Sequence, residues 1–291
     1  MSKRVRRAAA GYHVYHGSRR GRGRGLLLLP LILVLLAAGL WAYARWGEPR
    51  MLRVERLTVQ DARAERSLCM VVLSDLHIGR ECDADRVARV MRQTVALDPE
   101  VVLFLGDLFD DYSAYRDGEE ARLTALLSLA DLPDARKIAV WGNHDYGGGA
   151  EQAYARMLEN AGWTLLCNEA VELDGGFRLI GADDAVWGHP DVQELIADGA
   201  CNILLCHEPD FGDSVRGAAL QLSGHTHGLQ IDPLLPSLRA RVAPYGGEHY
   251  LGGRYEKPDG SVVYVSRGIG LSLYNYRLFA PPEVTLVEVR P

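Results

Sequence analysis

Trp141-Gly142-Asn143-His144-Asp145 closes a short apolar run, residues 137–140, that predicts a buried strand. Asn beside His and Asp is a poor choice for ordinary loop packing. Its amide oxygen can ligate a metal, however, while the neighbouring imidazole handles a proton. Four other loops have matching content: Asp75-Leu76-His77, Gly106-Asp107, His207-Glu208 and Gly224-His225-Thr226-His227. Each follows a run rich in Val, Leu or Ile, at residues 70–73, 101–105, 203–206 and 219–222. A strand ending in a polar loop, repeated five times, is how a parallel-rich sheet gathers one site at the carboxyl edge of its strands.

The flanking pattern extends this reading. Residues 52–59 alternate Leu52, Val54, Leu57 and Val59 with charged neighbours, which predicts a half-solvated edge strand. Val87, Val90, Met91, Thr94 and Val95 recur at helical spacing across 83–97, with Asp83 placed to cap that helix and Asp98-Pro99 to stop it. Further helices are predicted at 119–129, at 151–161 behind the Gly147-Gly148-Gly149 turn, and near 192–196. Short strands at 165–167, 171–173, 177–180, 261–265 and 283–289 complete the pattern. Strands that alternate with helices first and crowd together late predict an α/β fold, a four-layer α/β/β/α sandwich of two mixed sheets with flanking helices. Residues 232–254 lack periodicity and read as a long loop packed on the second sheet. Leu234, Leu235 and Leu238 beside Arg239 and Arg241 carry the rival reading of a lipid contact.

Charge is split along the chain. The first 25 residues carry eight Lys and Arg and no acid, so a chain total of −6 leaves the remainder at −14. An acidic body argues against nucleic acid as a partner, because phosphate contacts need clustered Lys and Arg. Residues 25–44 hold no charge, and at about 1.5 Å per residue 26–44 cross the roughly 30 Å of a bilayer core. The expected order is a basic cytoplasmic tail (1–25), a transmembrane helix or signal anchor (26–44) and an outer domain (47–291). Cations mark the inner side of a membrane, and Trp41, Tyr43 and Trp46 suit the opposite interface. Arg45, Arg50, Arg53 and Arg56 soften that asymmetry, and Ala42-Tyr43-Ala44 also fits a cleavage site, which still exports the body. Cys69, Cys82, Cys167, Cys201 and Cys206 have no metal-like spacing and read as apolar fillers. Their odd number speaks mildly for a reducing compartment, against the outward topology.

The ordered set of loops, more than any one of them, points to a metal site. Five of the nine histidines follow buried strands, in company with Asp75, Asp107 and Asn143. That order resembles the calcineurin-like metallophosphoesterase superfamily over residues 68–227. Gly181-Ala182-Asp183-Asp184, Cys206-His207-Glu208-Pro209-Asp210, Ser223-Gly224-His225-Thr226-His227-Gly228 and Ser266-Arg267-Gly268-Ile269-Gly270, running on to Pro282-Glu283, are similar to its membrane-anchored or exported bacterial branch. Leu229 departs from that branch, which has a second Gly before Gln230.

The resemblance implies two divalent metal ions, of Mn, Fe, Zn or Co. Asp75, His77 and His227 would hold one, Asn143, His207 and His225 the other, and Asp107 would bridge them. It implies hydrolysis of a phosphate mono- or diester, including a lipid-linked one, with a metal-bridging hydroxide as nucleophile. His144, oriented by Asp145, is expected to stabilise the developing charge or protonate the leaving oxygen. Among the neighbours, Asp110 and Asp111 read as an acidic helix start, Arg80 as a phosphate grip or a solvated side chain, and Cys82 as inert. A tether favours a lipid or envelope substrate, in a single-pass protein of a bacterial cell membrane with its catalytic domain extracytoplasmic. One alternative is a UDP-diacylglucosamine pyrophosphatase of lipid A synthesis at the cytoplasmic face. A non-catalytic scaffold on the same fold is the other, disfavoured because every expected ligand and His144 are present.

Overall fold

Apolar runs bounded by Gly, Pro and Asp become short strands, and the amphipathic runs between them become helices. The computed structural model describes residues 22–114, 119–147, 149–233 and 236–291. The predicted basic tail lies outside these residues up to position 21, as do Leu234 and Leu235 of the predicted lipid contact. In chain order the elements are α1 (Arg22–Ala42), β1 (Arg53–Gln60), β2 (Leu68–Leu73), α2 (Ala84–Ala96), β3 (Val101–Phe104), α3 (Glu120–Leu127), β4 (Arg136–Val140) and α4 (Ala150–Asn160). There follow β5 (Thr164–Leu166), β6 (Glu169–Leu173), β7 (Phe177–Gly181), β8 (Cys201–Leu205), β9 (Leu220–Ser223), α5 (Pro236–Val242), β10 (Gly253–Glu256), β11 (Val262–Val265) and β12 (Glu283–Arg290).

Two six-stranded mixed sheets result, in the orders β1-β12-β2-β3-β4-β5 and β10-β11-β9-β8-β7-β6. Strands β2 to β5 run parallel, as do β7, β8, β9 and β11, so the loops that follow them open at one edge. Strand β12 returns antiparallel beside β2 and closes the chain against β1. The alternation along each strand explains the continuous apolar runs. Leu68, Met70 and Val72 of β2 face the second sheet, while Val71 and Leu73 face α2, α3 and α4. From the second sheet Leu179, Ile203, Leu205 and Leu222 fill the shared interior, and Ile180, Leu204 and Cys206 pack outward beneath Val192 and Val215. Asp83 caps α2 by accepting from the Arg86 amide at 2.8 Å, a contact worth about 1 kcal/mol.

Three details differ from the sequence reading. The short helix predicted near 192–196 is a 3-10 turn, Gln193–Leu195. The region 232–254 holds α5 and the start of β10, which its Pro and Gly content masked. The five cysteines are all free, but Cys167 is exposed and Cys69 half-buried, so only Cys82, Cys201 and Cys206 act as buried fillers.

The chain divides into two compact units, residues 1–41 and 42–291. Helix α1 carries Pro30 within it and leaves its apolar side chains from Leu28 to Trp41 largely exposed. Among the described residues it belongs to the one stretch, Leu28–Arg50, long and apolar enough to cross a membrane. The second unit opens with a π-helical turn, Tyr43–Gly47, and a 3-10 turn, Glu48–Arg50. Both are tied to the 277–280 segment. The Arg277 amide donates to Ala44 O at 3.0 Å, and the Ala280 amide donates to buried Glu48 Oε1 at 2.6 Å.

Candidate metal centre

The loops after β2, β3, β4, β8 and β9 meet at one edge, and their backbones are bent to do so. Asp75, His77, Asp107, His225 and His227 have φ of 53°, 43°, 62°, 71° and 52°, in the left-handed region that L side chains rarely adopt. Such strain, of order 1–3 kcal/mol per residue, persists only where neighbours over-determine it. Here the loops are zipped together. The Asp75 amide donates to Gly106 O at 3.0 Å, the His77 amide to Asp107 O at 3.1 Å, and the Gly224 amide to His207 O at 3.0 Å. Gly106 (φ +92°) lies so close to the next loop that a Cβ there would sit 2.5 Å from the Gly142 nitrogen.

Every residue predicted to bind metal converges on this edge. Asp107 Oδ2 stands between two imidazoles, 3.3 Å from His77 Nε2 and 3.1 Å from His207 Nε2, while its Oδ1 accepts from the His144 amide at 2.9 Å. Asp75 Oδ1 lies 3.4 Å from His227 Nε2, and its carboxylate accepts from the His225 amide at 3.0 Å. Asp75, His77 and His227 present ligand atoms within 4.8 Å of one another, and so do Asp75, Asp107 and His207. On the other side, Asn143 Oδ1 and His225 Nδ1 are 2.9 Å apart.

The donor set fits cations. His207 Nδ1 donates to Leu105 O at 2.6 Å, so its Nε2 lone pair points at Asp107 and has no hydrogen-bond partner. His225 Nε2 donates to Tyr245 O at 2.8 Å, which turns the Nδ1 lone pair toward the Asn143 amide oxygen. His77 Nε2 and His227 Nε2 face each other at 3.0 Å. Acceptors buried against acceptors are costly unless a cation or a proton lies between them. The electrostatics agree. Burial would push the His77 imidazole down, but Asp107 and Asp110 beside it raise it to about 9. Burial opposes ionisation of Asp107 as well, yet His207 holds its carboxyl well below the usual range. Burial and His207 lower His225, whereas burial, His77 and Arg277 hold His227 well below its ordinary value. The Asp107 carboxylate thus draws His77 and His207 toward the protonated form while His225 and His227 are held neutral, and a bound cation would take the place of those protons.

Asp145 is placed differently from the expectation that it orients His144. A 3-10 turn, Asn143–Tyr146, carries it back over its own start. Its carboxylate accepts from the amides of Asp107 (2.8 Å), Leu108 (2.9 Å) and Gly142 (3.0 Å), and so splints two site loops together. Burial and the Asp107 charge raise Asp145 to about 7. The His144 ring is instead held by Asp110, whose carbonyl oxygen accepts from Nδ1 at 2.7 Å. Asp110 is therefore part of the site, with Oδ1 also 3.3 Å from His77 Nδ1. Arg80 is exposed and Cys82 fully buried.

Arg277 was not legible in the sequence. Among the described residues it is the largest fully buried side chain; it lies 3.2 Å from His227 Nδ1 and donates to the carbonyls of Gly270 (2.7 Å), Arg267 (2.7 Å) and Ala280 (2.9 Å). Glu208, noted in the sequence only as the neighbour of His207, is buried with Oε1 unpartnered and Oε2 accepting from the Ala185 amide at 2.9 Å. Leu229, where the resembled branch has glycine, sits at φ 66°, a conformation that glycine adopts without strain.

Comparison with known proteins gives this geometry its family. The calcineurin-like phosphoesterase family matches residues 70–229, which contain every loop described above except the Arg277 segment. The chain belongs to that family. It is 29% identical to the uncharacterized metallophosphoesterase YkuE of Bacillus subtilis, over 94% of this chain and 98% of that protein. It is 31% identical to the putative metallophosphoesterase F40B5.2 of Caenorhabditis elegans, over 90% of this chain and 57% of that protein. A Danio rerio protein described as a transmembrane protein with a metallophosphoesterase domain is 25% identical, over 91% of this chain and 62% of its own length. The site is therefore that of a phosphoesterase hydrolase.

Proposed function

We propose that the chain is a membrane-tethered phosphoesterase that works with two divalent metal ions. The reading rests on one observation: the Asp107 carboxylate stands between His77 and His207, the position a bridging ligand takes between two ion sites. Asp75, His77 and His227 would hold one ion and Asn143, His207 and His225 the other. Mixed nitrogen and oxygen donors suit Mn, Fe, Zn or Co. Bound ions would supply Lewis acidity, polarising a phosphoryl oxygen and activating water near neutral pH. His144 serves the leaving group. Its Nδ1 donates to Asp110, so a proton given up or taken by the ring passes at Nε2. Asp145 and Asp110 position these groups without touching substrate.

The tether selects a substrate held at the same surface, a lipid-linked phosphate ester, and the cations before α1 favour an extracytoplasmic domain in a bacterial cell membrane. The free, exposed thiol of Cys167 favours the second reading, a cytoplasmic domain acting on a UDP-lipid pyrophosphate bond. Carboxyl-terminal fusions to one reporter active outside the membrane and another active inside separate the two topologies. For the chemistry, the expected result is about two metal ions per chain and hydrolysis of p-nitrophenyl phosphate or its bis-ester. A chelator should abolish that hydrolysis and added Mn²⁺ restore it. Undiminished hydrolysis by fully chelated protein would sink the proposal.

A further inference from the structure

An arginine cluster lies where the chain enters the second unit. Two adjoining cavities flank the segment after Gly47, one of about 190 Å³ and one of about 360 Å³. The smaller is polar and is lined by Arg45, Arg50, Arg80, Arg86 and Arg89. The larger adds Leu52, Val90 and Arg92, and the two share Pro49, Arg50, Arg86 and Arg89. Two acids also line the smaller cavity, Glu81 and Asp83, against its five arginines. Glu81 binds Arg45 through two bonds of 3.1 and 2.7 Å, and Asp83 caps α2. Among the described residues Arg50, Arg80, Arg86 and Arg89 pair with no carboxylate. Arg50 spends one N–H on Trp46 O, and Arg86 one on Ile269 O. Arg86 is only 9% exposed, and burial, Arg89 and Arg50 together lower its pKa. A body with a net charge of −14 thus concentrates uncompensated positive charge at one spot. Tyr43, Trp46 and Met51 of the same entering segment are 40%, 49% and 42% exposed, and the Trp46 carbonyl accepts from Arg50.

We infer that these paired cavities hold an anionic phospholipid of the host membrane, its phosphate among Arg50, Arg86 and Arg89 and its first acyl carbons beside Leu52 and Val90. Arginine forks match phosphate oxygens geometrically, and exposed aromatic side chains in the segment that follows a span suit the headgroup level of a bilayer. The inference rests on α1 as a membrane span, because only then does the segment after Ala42 lie at a lipid surface.

The test uses the full chain purified in detergent, with phosphatidylglycerol, phosphatidylcholine or inorganic phosphate added, and bound lipid counted by native mass spectrometry. Wild-type protein should retain one phosphatidylglycerol in preference to phosphatidylcholine. At about fivefold per arginine, R50Q/R89Q should weaken that retention on the order of 25-fold, and R50K/R89K should recover part of it. Thermal unfolding of each variant checks that it folds. Equal retention of phosphatidylglycerol by wild type and R50Q/R89Q overturns the inference. So does displacement of the lipid by millimolar inorganic phosphate, which would mark the cavities as a free-phosphate site. Alkaline extraction tests the span separately: a chain released as soluble protein fails the membrane reading whatever it does with lipid.

Discussion

Asp145→Asn separates two roles for one carboxylate. If Asp145 acts through His144, the substitution lowers turnover and leaves stability and metal content alone. The structure gives another outcome. Oδ2 accepts two amides and Oδ1 a third, all buried. An amide keeps its oxygen toward Asp107 and Gly142 at best, and then sets an NH₂ against the Leu108 N–H. One charge-assisted bond is lost and a buried donor is left unsatisfied, which costs about 2–3 kcal/mol. For a domain of this size that lowers Tm by roughly 5–10 °C. Asp107 sits at φ 62° partly because Asp145 holds its amide, so metal should be lost as well. The assay is thermal unfolding together with metal analysis at pH 8. A variant with unchanged Tm and full metal but slow turnover would refute the splint and restore the His144 partnership.

Other expectations follow from the same geometry. Asp107→Ala should lose metal along with activity, whereas His144→Ala should keep its metal and lose turnover about 10²–10⁴-fold; equal metal and equal activity in both would overturn the role assignment. Gly142→Ala drives a Cβ to within 2.7 Å of the Asp107 amide nitrogen, so metal content should fall, with about 1–3 kcal/mol of destabilisation in urea unfolding. Leu103→Ala, in the interior shared by both sheets, should cost about 2–5 kcal/mol in the same assay while leaving the residual folded fraction able to bind metal.

Local pattern carried much of this protein. Continuous apolar runs marked strands buried on both faces, and a polar loop after each marked the edge where a site forms. The edge strand at 52–59 was legible because alternation is a local property, and so was the α2 cap. The stretch 25–44 needed only its length and lack of charge to be read as a membrane segment. The candidate ligands, too, stand in the sequence as an ordered series of polar loops after apolar runs, and the family resemblance supplied the role expected of each.

Tertiary structure decided what depends on distance between segments remote in sequence. Asp145 adjoins His144 in the chain, yet the 3-10 turn aims it at the amides of another loop, and His144 falls to the Asp110 carbonyl. Arg277 follows His227 by fifty residues and carries no local mark, but the return of the chain into β12 buries it against that imidazole. The arginine cluster joins Arg50 to Arg86 and Arg89 only because α2 packs beside the segment that follows α1. Periodicity records which way a side chain points from its own element. What it meets there is set by the packing of the others, and in this protein that packing fixes the partners of every charged group near the site.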